Sequence, residues 1–302
     1  MDRDTALKEF EDLVEKVKYL SPEERQFMYK GTQYPSTVTS PETLQALDNF
    51  EARADDILLV SYPKCGFNWM FQILNSLAIA AGTTEKGNEI LPPLLEFRKP
   101  KNLQVFSSMP SQRILGTHLH PDNLPKSFIE KKVKILTIIR NPKDAAVSYY
   151  HFQYNNPVMG FNYTWDKFFS VFMEKKVFYG SYFDYISAWN KKINDENVHI
   201  VIYEELKKNM SEEVKKIAKF FNFTLTEEQI QSICSKSTFK SMKENSMNTH
   251  GKFGTILFRK GDIGDWKNCL TEEQSKAIDL KFEKHLAGTK IGDLLKYDEY
   301  CK

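Results

Sequence analysis

The stretch DILLVSYPKCGFNWMFQILNSLAIAAG, residues 56–82, contains an apolar run, a short turn and a second apolar run in direct succession. The first run, DILLVSY, is almost continuously apolar, which predicts a strand covered on both faces, as in a parallel sheet flanked by helices. The second run predicts a helix that ends at Gly82, because glycine commonly follows the last turn of a helix. The turn between them carries Lys64 and Gly66, which makes it a candidate site for an anion.

Three other stretches are typical of strands, and they alternate with helical stretches along the chain. Strands are expected at 133–140 (VKILTIIR), 198–206 (VHIVIYEEL) and, with a weaker pattern, 113–119 (RILGTHL). Helices are expected at 1–20, 67–82, 141–153, 211–221 with Ser211 as N-cap, 226–236 and 271–286, and long loops at 156–163 and 246–266. This order predicts an α/β fold with a central parallel β-sheet, flanking helices and right-handed crossovers. A length of 302 residues allows one large domain or two smaller ones, and the regular alternation favours a single domain over 1–302.

Composition excludes several classes of protein. The 42 Lys and Arg residues against 40 Asp and Glu give a net charge of +2, whereas nucleic-acid-binding proteins usually carry a basic excess. The four cysteines have no CxxC spacing, so neither a disulfide framework nor a zinc site is expected. The N-terminal stretch is amphipathic and charged, unlike a signal peptide, and no apolar run approaches the roughly 18 residues that span a bilayer. We therefore expect a cytoplasmic protein without a membrane or nucleic-acid partner.

The turn at residues 62–66 has the features of a phosphate site. A helix N-terminus offers free N–H groups and a partial positive charge, and Lys64 adds a full charge beside them. Gly66 allows close approach of the backbone, Asn68 can donate a hydrogen bond, and Trp69 offers a flat face to a base. The alternative is an ordinary strand–helix connection with a surface lysine and a core tryptophan. The segment does not contain the G-x-x-x-x-G-K-[ST] motif of P-loop nucleotide hydrolases.

Two more cationic clusters suggest a second anion site. Arg140 ends a predicted strand, where it can bind a phosphate through two hydrogen bonds, and Ser148 lies about two helical turns further on. Arg259, Lys260 and the amide of Gly261 could hold the same group. The alternatives are an exposed cation at a strand end and a flexible basic loop. Together with the turn, the clusters indicate a ligand with two separated anionic ends and an aromatic base, with no metal required.

A histidine near a predicted strand end is the candidate general base. In ILGTHLH, residues 114–120, His118 precedes a proline-containing turn. Histidine titrates near neutral pH and suits proton transfer, although a single histidine in a strand is more often structural. His120 is a competitor for the role. The other four histidines have no comparable setting in the sequence.

Five segments resemble the motifs of one family. They are SYPKCGFNW (61–69), THLHPDNLP (117–125), RNPKDAAVSYYHF (140–152), STFKSM (237–242) and RKGDIGDWK (259–267). The last matches the long and specific signature RKGxxGDWK. The chain resembles the cytosolic sulfotransferases over essentially its whole length, and most of all the B branch of their sixth family.

The resemblance implies a sulfuryl donor, 3′-phosphoadenosine 5′-phosphosulfate (PAPS), and assigns roles to residues. Lys64 would lie near the oxygen that bridges phosphate and sulfate, His118 would be the catalytic base, and Phe152 is the best candidate for contact with the acceptor. The 5′-phosphate would be bound by the amides of Cys65, Gly66, Phe67 and Asn68, and the 3′-phosphate by Arg140, Ser148, Arg259, Lys260 and Gly261. The adenine would be framed by Trp69, Tyr203 and Phe239, with Thr238 nearby.

The chain departs from the family pattern at several positions. Cys65 and Phe67 stand where serine and threonine are usual, and Gly116 stands where the family commonly has a lysine. Because Cys65 is expected at a helix N-terminus beside Lys64, we predict a lowered thiol pKa and sensitivity to oxidation. The segment KNCLTEEQSK (267–276) resembles a dimerisation element but has changed residues at two of its marked positions, so a homodimer is possible but not favoured by this motif.

These features predict a cytosolic sulfotransferase that modifies a small lipophilic phenol, alcohol or amine. Aromatic residues make up 13% of the chain, which suits an apolar acceptor pocket. Those that lie near the motifs in the sequence are Phe106, Tyr149, Tyr150, Phe152, Phe161, Phe253 and Phe258. Two other hypotheses remain. A metal-dependent kinase or P-loop hydrolase would need a Walker loop and a strand-end acid, and both are missing. A non-catalytic PAPS-binding protein is favoured only by Gly116 and the altered turn.

Overall fold

The computed structural model describes residues 3–84, 93–159 and 161–302. Within these ranges the strands form a two-stranded antiparallel hairpin and a four-stranded parallel sheet. The hairpin consists of β1 (Gln26–Tyr29) and β2 (Thr32–Pro35), and the larger sheet of β3 (Ile57–Ser61), β4 (Ile114–Thr117), β5 (Lys134–Ile139) and β6 (Val198–Ile202). The order of strands in the larger sheet is β4-β3-β5-β6.

Helices flank the parallel sheet, and the described ranges contain sixteen α-helices in all. They are α1 (Arg3–Val17), α2 (Pro41–Leu47), α3 (Phe67–Ala80), α4 (Gln104–Ser108), α5 (Lys126–Glu130), α6 (Pro142–Asn155), α7 (Trp165–Met173), α8 (Tyr182–Asn190), α9 (Tyr203–Lys208), α10 (Met210–Phe221), α11 (Glu227–Lys236), α12 (Phe239–His250), α13 (Gly254–Leu257), α14 (Glu272–His285), α15 (Lys290–Leu294) and α16 (Tyr297–Tyr300). Short 3₁₀ turns occur at Leu95–Phe97, Pro100–Asn102, Pro121–Asn123, Gly251–Phe253 and Asp265–Asn268. No helix in the described ranges has the combination of length and apolarity that crossing a bilayer requires.

The central strand β3 explains why the sheet is covered on both faces. Every residue of β3 is buried. Leu58 and Val60 pack into one hydrophobic cluster, and Ile57 and Leu59 pack into a second cluster on the opposite face, as alternation along a strand requires. The predicted α/β fold with a central parallel sheet is therefore confirmed.

The topology brings four chain segments together at one edge of the sheet. All four strands are parallel, so their carboxyl ends meet there, and β3 has β4 on one side and β5 on the other. Lys64 follows β3, His118 follows β4, Arg140 follows β5 and Tyr203 follows β6. In open α/β sheets a ligand crevice forms outside the carboxyl ends where the strand order reverses, and that point lies at β3 here.

Three sequence predictions about element boundaries were wrong. The strand predicted at 198–206 ends at Ile202, where its partner β5 also ends, and α9 begins at the next residue. Ser211 lies inside the first turn of α10, because Asn209 is the residue that precedes the helix. The loop predicted at 246–266 contains the end of α12, a 3₁₀ turn, α13 and the start of a second 3₁₀ turn, which leaves only residues 258–264 without a helix. The small hairpin, the longer helices α7, α8 and α12, and the helices of four to seven residues were not predicted.

Candidate functional site

A cavity of about 1460 Å³ opens at the carboxyl edge of the parallel sheet. Of the sixteen residues to which the family resemblance assigns a role, all but Cys65 and Thr238 line it. Those that line it are Lys64, Gly66, Phe67, Asn68, Trp69, His118, Arg140, Ser148, Phe152, Tyr203, Phe239, Arg259, Lys260 and Gly261. In the described part of the chain, no three His, Cys, Asp or Glu side chains are grouped so that they could hold a metal ion.

The turn between β3 and α3 presents an uncapped helix start to this cavity. Lys64 and Gly66 both have positive φ angles, 68° and 107°, which bend the chain sharply before the helix. The N-cap residue of α3, Gly66, has no side chain to cap the helix, so the N–H groups of its first turn are available to a ligand. A Cβ atom on Gly66 would lie 2.8 Å from Tyr203 Cδ2, so close packing as well as φ requires glycine here.

Arg140 is buried beside this turn and only partly satisfied by protein groups. Its side chain is 8% exposed, and its guanidinium carbon lies 4.5 Å from the centre of the Tyr203 ring. One terminal nitrogen donates to the Asp262 carbonyl at 2.8 Å. Its Nε has no acceptor among the described residues. A buried donor without a partner is costly, so this atom indicates a place for an anionic ligand.

Arg259 and Lys260 lie at the same end of the cavity, where both bind the carboxylate of Asp265. Lys260 Nζ is 2.6 Å from Asp265 Oδ1, and the guanidinium of Arg259 contacts Oδ2. Burial would raise the pKa of Asp265, but hydrogen bonds from Lys260 and Arg259 outweigh it and hold that pKa well below its usual range. Asp265 was not predicted as a site residue, although it belongs to the quoted signature, because cations and amides are the groups that indicate a phosphate site.

Asp144 fixes the loop that carries these cations to the start of α6. Its buried carboxylate accepts hydrogen bonds from the amides of Gly264, at 2.8 Å, and Trp266, at 3.0 Å. It also accepts from the side-chain amide of Asn141 at 2.8 Å. One carboxylate therefore ties the segment after Arg140 to residues 259–266.

Three aromatic side chains surround the space next to the turn. The ring centres of Trp69 and Tyr203 are 5.2 Å apart with their planes at 71°, and Trp69 Nε1 donates to the Ser237 carbonyl at 2.6 Å. The Phe239 ring lies over Gly261, where a Cβ atom would be 2.2 Å from it. Thr238 does not line the cavity. Its hydroxyl caps α12 by accepting from the Ser241 amide, and Phe239 is the first residue of that helix.

His118 has one defined tautomer. Its Nδ1 lies 2.9 Å from the carbonyl oxygen of Ser61, and a carbonyl only accepts, so Nδ1 carries the proton. Burial lowers the pKa of the imidazole to about 4, and the charge of Lys64 acts in the same direction. At neutral pH the ring is uncharged and its Nε2 has a free lone pair, which is the state that a base requires.

Glu96 holds the backbone of the His118 segment. It is fully buried, and its two oxygens accept from the His118 amide and the Thr117 hydroxyl, both at 2.8 Å. Burial raises its pKa to about 7. Glu96 lies outside every motif in the sequence, and nothing in its local pattern distinguishes it from a surface glutamate.

Lys64 is a cation in an environment that disfavours its charge. Its Nζ lies 4.3 Å from the centre of the Phe152 ring. Burial, together with the charges of Arg140 and Arg259, lowers its pKa to about 7. An anion in the cavity would reverse this balance and favour the protonated form.

The expectation of a reactive Cys65 was wrong. Its side chain is fully buried in the larger hydrophobic cluster instead of facing the cavity. Burial raises the thiol pKa to about 12, and the nearby Arg140 and Lys64 only partly offset that effect. A thiol that is neither exposed nor ionised is not sensitive to oxidation.

The structure separates the remaining candidates. His120 does not line the cavity, because its ring caps the 3₁₀ turn Pro121–Asn123 by accepting from the Asp122 amide. His151 and His250 do line it, although the sequence indicated no role for them. Of the other aromatic residues proposed near the site, Tyr149, Phe253 and Phe258 line the cavity, whereas Phe106, Tyr150 and Phe161 do not. The far end is completed by residues that the sequence did not indicate, including Leu13, Val38, Phe97, Val158, Met159, Phe178 and Tyr179.

Comparison with known proteins identifies the class to which this fold and cavity belong. A family profile described as the sulfotransferase domain matches residues 54–290. The chain belongs to the sulfotransferase family, in its cytosolic group, and is a PAPS-dependent sulfotransferase.

Named relatives refine this assignment. The chain is 51% identical over 284 residues to sulfotransferase 6B1 of Danio rerio, covering 94% of this chain and 96% of that protein. It is 46% identical over 301 residues to sulfotransferase 6B1 of Homo sapiens, covering 100% and 99%. Among solved structures it is similar to the mouse sulfotransferase SULT7A1 complexed with PAP, with a TM-score of 0.82 and 32% identity over 92% of this chain and 99% of that one.

Proposed function

We propose that the enzyme transfers the sulfuryl group of PAPS to the hydroxyl or amine of a small lipophilic acceptor, with His118 as general base. PAPS as donor is supported by the family and by the similarity to a sulfotransferase solved with PAP, adenosine 3′,5′-bisphosphate. The observation that carries the proposal is a neutral imidazole in one cavity with Lys64 and an uncapped helix N-terminus.

The turn fits the 5′-phosphate of the donor. The amides of Cys65, Gly66, Phe67 and Asn68 lie at the start of α3, where the helix dipole favours an anion. The close packing of Tyr203 and Ile138 against Gly66 leaves no room for a side chain at this position. The side chain of Cys65 is buried and its amide also donates to the Tyr62 carbonyl at 3.3 Å, so Cys65 would contribute only a shared amide hydrogen.

The cationic end of the cavity fits the 3′-phosphate. Arg140 has an unpartnered Nε, Ser148 offers a hydroxyl, and Arg259 and Lys260 bring two further charges. Arg259 and Lys260 can exchange the Asp265 carboxylate for phosphate oxygens, or they can bind both anions at once. Trp69, Tyr203 and Phe239 would frame the adenine between the two phosphate sites, and the Gly261 amide completes the second one.

In the reaction, His118 Nε2 accepts the proton of the acceptor hydroxyl as its oxygen forms a bond to sulfur. The bond between sulfur and the oxygen that bridges it to the 5′-phosphate breaks, and that oxygen keeps the electron pair. Lys64 Nζ stabilises the negative charge that develops there. Ser61 and Glu96 hold the imidazole and its backbone in place through the contacts described above. PAPS supplies the sulfuryl group.

The acceptor end is apolar and aromatic. Phe152 lies next to Lys64, and Phe253 packs edge-on against it at 6.3 Å. Phe97 and Tyr179 contact the other side of His118, with ring centres 6.5 and 5.5 Å from the imidazole. An acceptor held among these rings would direct its hydroxyl to His118, which suits a lipophilic phenol or alcohol.

The test is transfer of labelled sulfate from PAPS to a panel of phenols, alcohols and amines, with the wild-type enzyme and His118→Asn. We expect labelled product from at least one lipophilic acceptor and loss of most turnover in the variant. Tight PAP binding with no labelled product from any acceptor would instead indicate a nucleotide-binding protein without transferase activity. Equal turnover by the variant would remove His118 as the base.

A further inference from the structure

The residue at the start of α3, Phe67, contacts two parts of the site that the proposed reaction needs together. Its backbone amide belongs to the uncapped first turn of the helix. Its side chain is 5% exposed, and its ring centre lies 4.9 Å from that of His118, with the planes tilted by 60°. Phe67 is therefore a direct bridge between the phosphate-facing turn and the imidazole.

The same ring occupies the space above Gly116 on β4. A Cβ atom on Gly116 would lie 2.4 Å from Phe67 Cζ, 3.2 Å from Cε2 and 3.4 Å from Cε1. Gly116 is paired with Leu59 in the sheet and with residue 94 through an isolated bridge, so its backbone is held on both sides. The phenyl ring would have to move to admit a side chain there, and the His118 imidazole lies against it.

We propose that Phe67 is a positioning residue for His118, and that Phe67 and Gly116 form an interdependent pair in which the ring takes the space of a side chain at position 116. This inference rests on the proposed function in so far as His118 is the base. The two departures from the family pattern at positions 67 and 116 are then one change in packing. The Phe67 ring forms part of the apolar surroundings that keep the His118 imidazole uncharged.

Groups on several elements face the imidazole besides Phe67. They are Lys64 from the turn after β3, Glu96 from the 3₁₀ turn Leu95–Phe97, and Tyr179 from the segment before α8. Lys64 and burial lower the His118 pKa, while the hydrogen bond to Ser61 raises it. Because variants of Phe67 leave these groups in place, a change in the imidazole pKa reports the loss of the ring.

The first experiment is a mutant cycle of Gly116→Ala, Phe67→Ala and the double variant, with kcat, KM and thermal melting measured for each. We expect Gly116→Ala to lower kcat by roughly 100-fold, since a shift of about 1 Å in a catalytic group can cost that much. The kcat of the double variant should be at least about tenfold higher than that of Gly116→Ala, because the new methyl group then has room. Wild-type kcat in Gly116→Ala, or strictly additive effects in the double variant, would overturn the pairing.

The second experiment measures the imidazole directly and does not depend on turnover. In ¹³C-labelled protein, the histidine resonance that disappears in His118→Asn is titrated in wild type and in Phe67→Leu, a milder change that keeps most of the core volume. We expect a midpoint near 4 in the wild type and a midpoint higher by about one pH unit or more in the variant, toward the ordinary value of about 6.5. Phe71→Leu, one turn further along α3 and outside the cavity lining, is the matched control and should leave the midpoint unchanged.

The outcomes separate the two proposals. If His118→Asn turns over like wild type, the base assignment fails, but the titration still decides whether Phe67 encloses the ring. If Phe67→Leu and wild type share one midpoint while His118→Asn is inactive, His118 remains the base and the positioning role of Phe67 is wrong.

Discussion

The two ends of the cavity are built in different ways. The donor end uses backbone amides, glycines with positive φ and cations that lie within or next to a few continuous segments, chiefly 62–69, 140–148 and 259–266. The acceptor end uses side chains from α1, from the stretch before α2, and from residues 94–99, 149–159 and 178–179. The first end is set by local backbone geometry, and the second by the packing of distant segments.

This difference predicts which changes affect one end and spare the other. Under the proposed function, the backbone amides and cations of the donor end bind phosphate groups that every reaction of this enzyme shares. Side chains at the acceptor end belong to neither the turn nor the cationic loop, so we expect that they can be exchanged without disturbing either segment. His118 and Lys64 lie where the two ends meet, so changes there should alter transfer itself.

The largest effect is expected where the ends meet. His118→Asn should lower kcat/KM by roughly 10²- to 10⁴-fold, the range typical of a lost general base, while PAP affinity changes little. Because the wild-type imidazole has a pKa of about 4, it is neutral from pH 5 upward, and its activity should not fall on acidification until below about pH 5. Steady-state kinetics and calorimetry check both parts.

His120→Asn is the matched control for this variant. It lies two residues away, outside the cavity lining, and should retain wild-type turnover. A comparable loss of turnover in His120→Asn would mean that any substitution in the segment after β4 lowers activity. The effect of His118→Asn would then not indicate a lost base.

The next largest effect is expected at the donor end. Lys260→Met should weaken PAP binding by about tenfold or more, since a hydrogen bond to a charged group contributes about 1.5–3 kcal/mol and part of this is lost to solvent screening. KM for the acceptor should stay the same. Lys267→Met, in the same signature but outside the cavity lining, should bind PAP normally. Equal weakening by both would indicate a general charge effect instead of a contact.

A smaller effect follows from the pKa of Lys64. At pH 8 the free enzyme holds this amine mostly unprotonated, because its pKa is about 7. An anionic nucleotide raises that pKa, so binding takes up as much as about one proton, and affinity falls by up to about tenfold for each pH unit between the free and bound values. Calorimetry in buffers of different ionisation enthalpy measures the uptake, which Lys64→Met should abolish.

The smallest effect is expected at the acceptor end. Phe152→Leu should raise KM for a lipophilic acceptor by about three- to tenfold, as expected for a partial loss of apolar contact. The size of this increase should depend on the size of the acceptor. PAP affinity should stay within about twofold. If PAP affinity falls as much as acceptor KM rises, Phe152 supports the turn at Lys64 more than it supports the acceptor.

The same difference explains what the sequence could predict. The parallel sheet followed from continuous apolar runs, and the donor-end residues came from strand–turn–helix patterns whose geometry is local. Glu96 and Tyr179 could not be found this way, since each meets His118 only through contacts between distant segments. Cys65 shows the opposite error, because its position beside a helix start suggested exposure, whereas the turn directs its side chain into the core. The single domain, the homodimer and the ligand roles of the site residues stay predictions.

The buried carboxylate of Asp144 gives the cationic loop a dynamic signature. The amides of Gly264 and Trp266 lie outside any strand or α-helix, and backbone in such segments usually exchanges its hydrogens rapidly with solvent. Because one buried side chain holds both amides, their exchange should be slow and should accelerate together when Asp144 is replaced by asparagine. Hydrogen exchange at these two amides therefore reports whether the cationic loop is held against α6, even without a substrate.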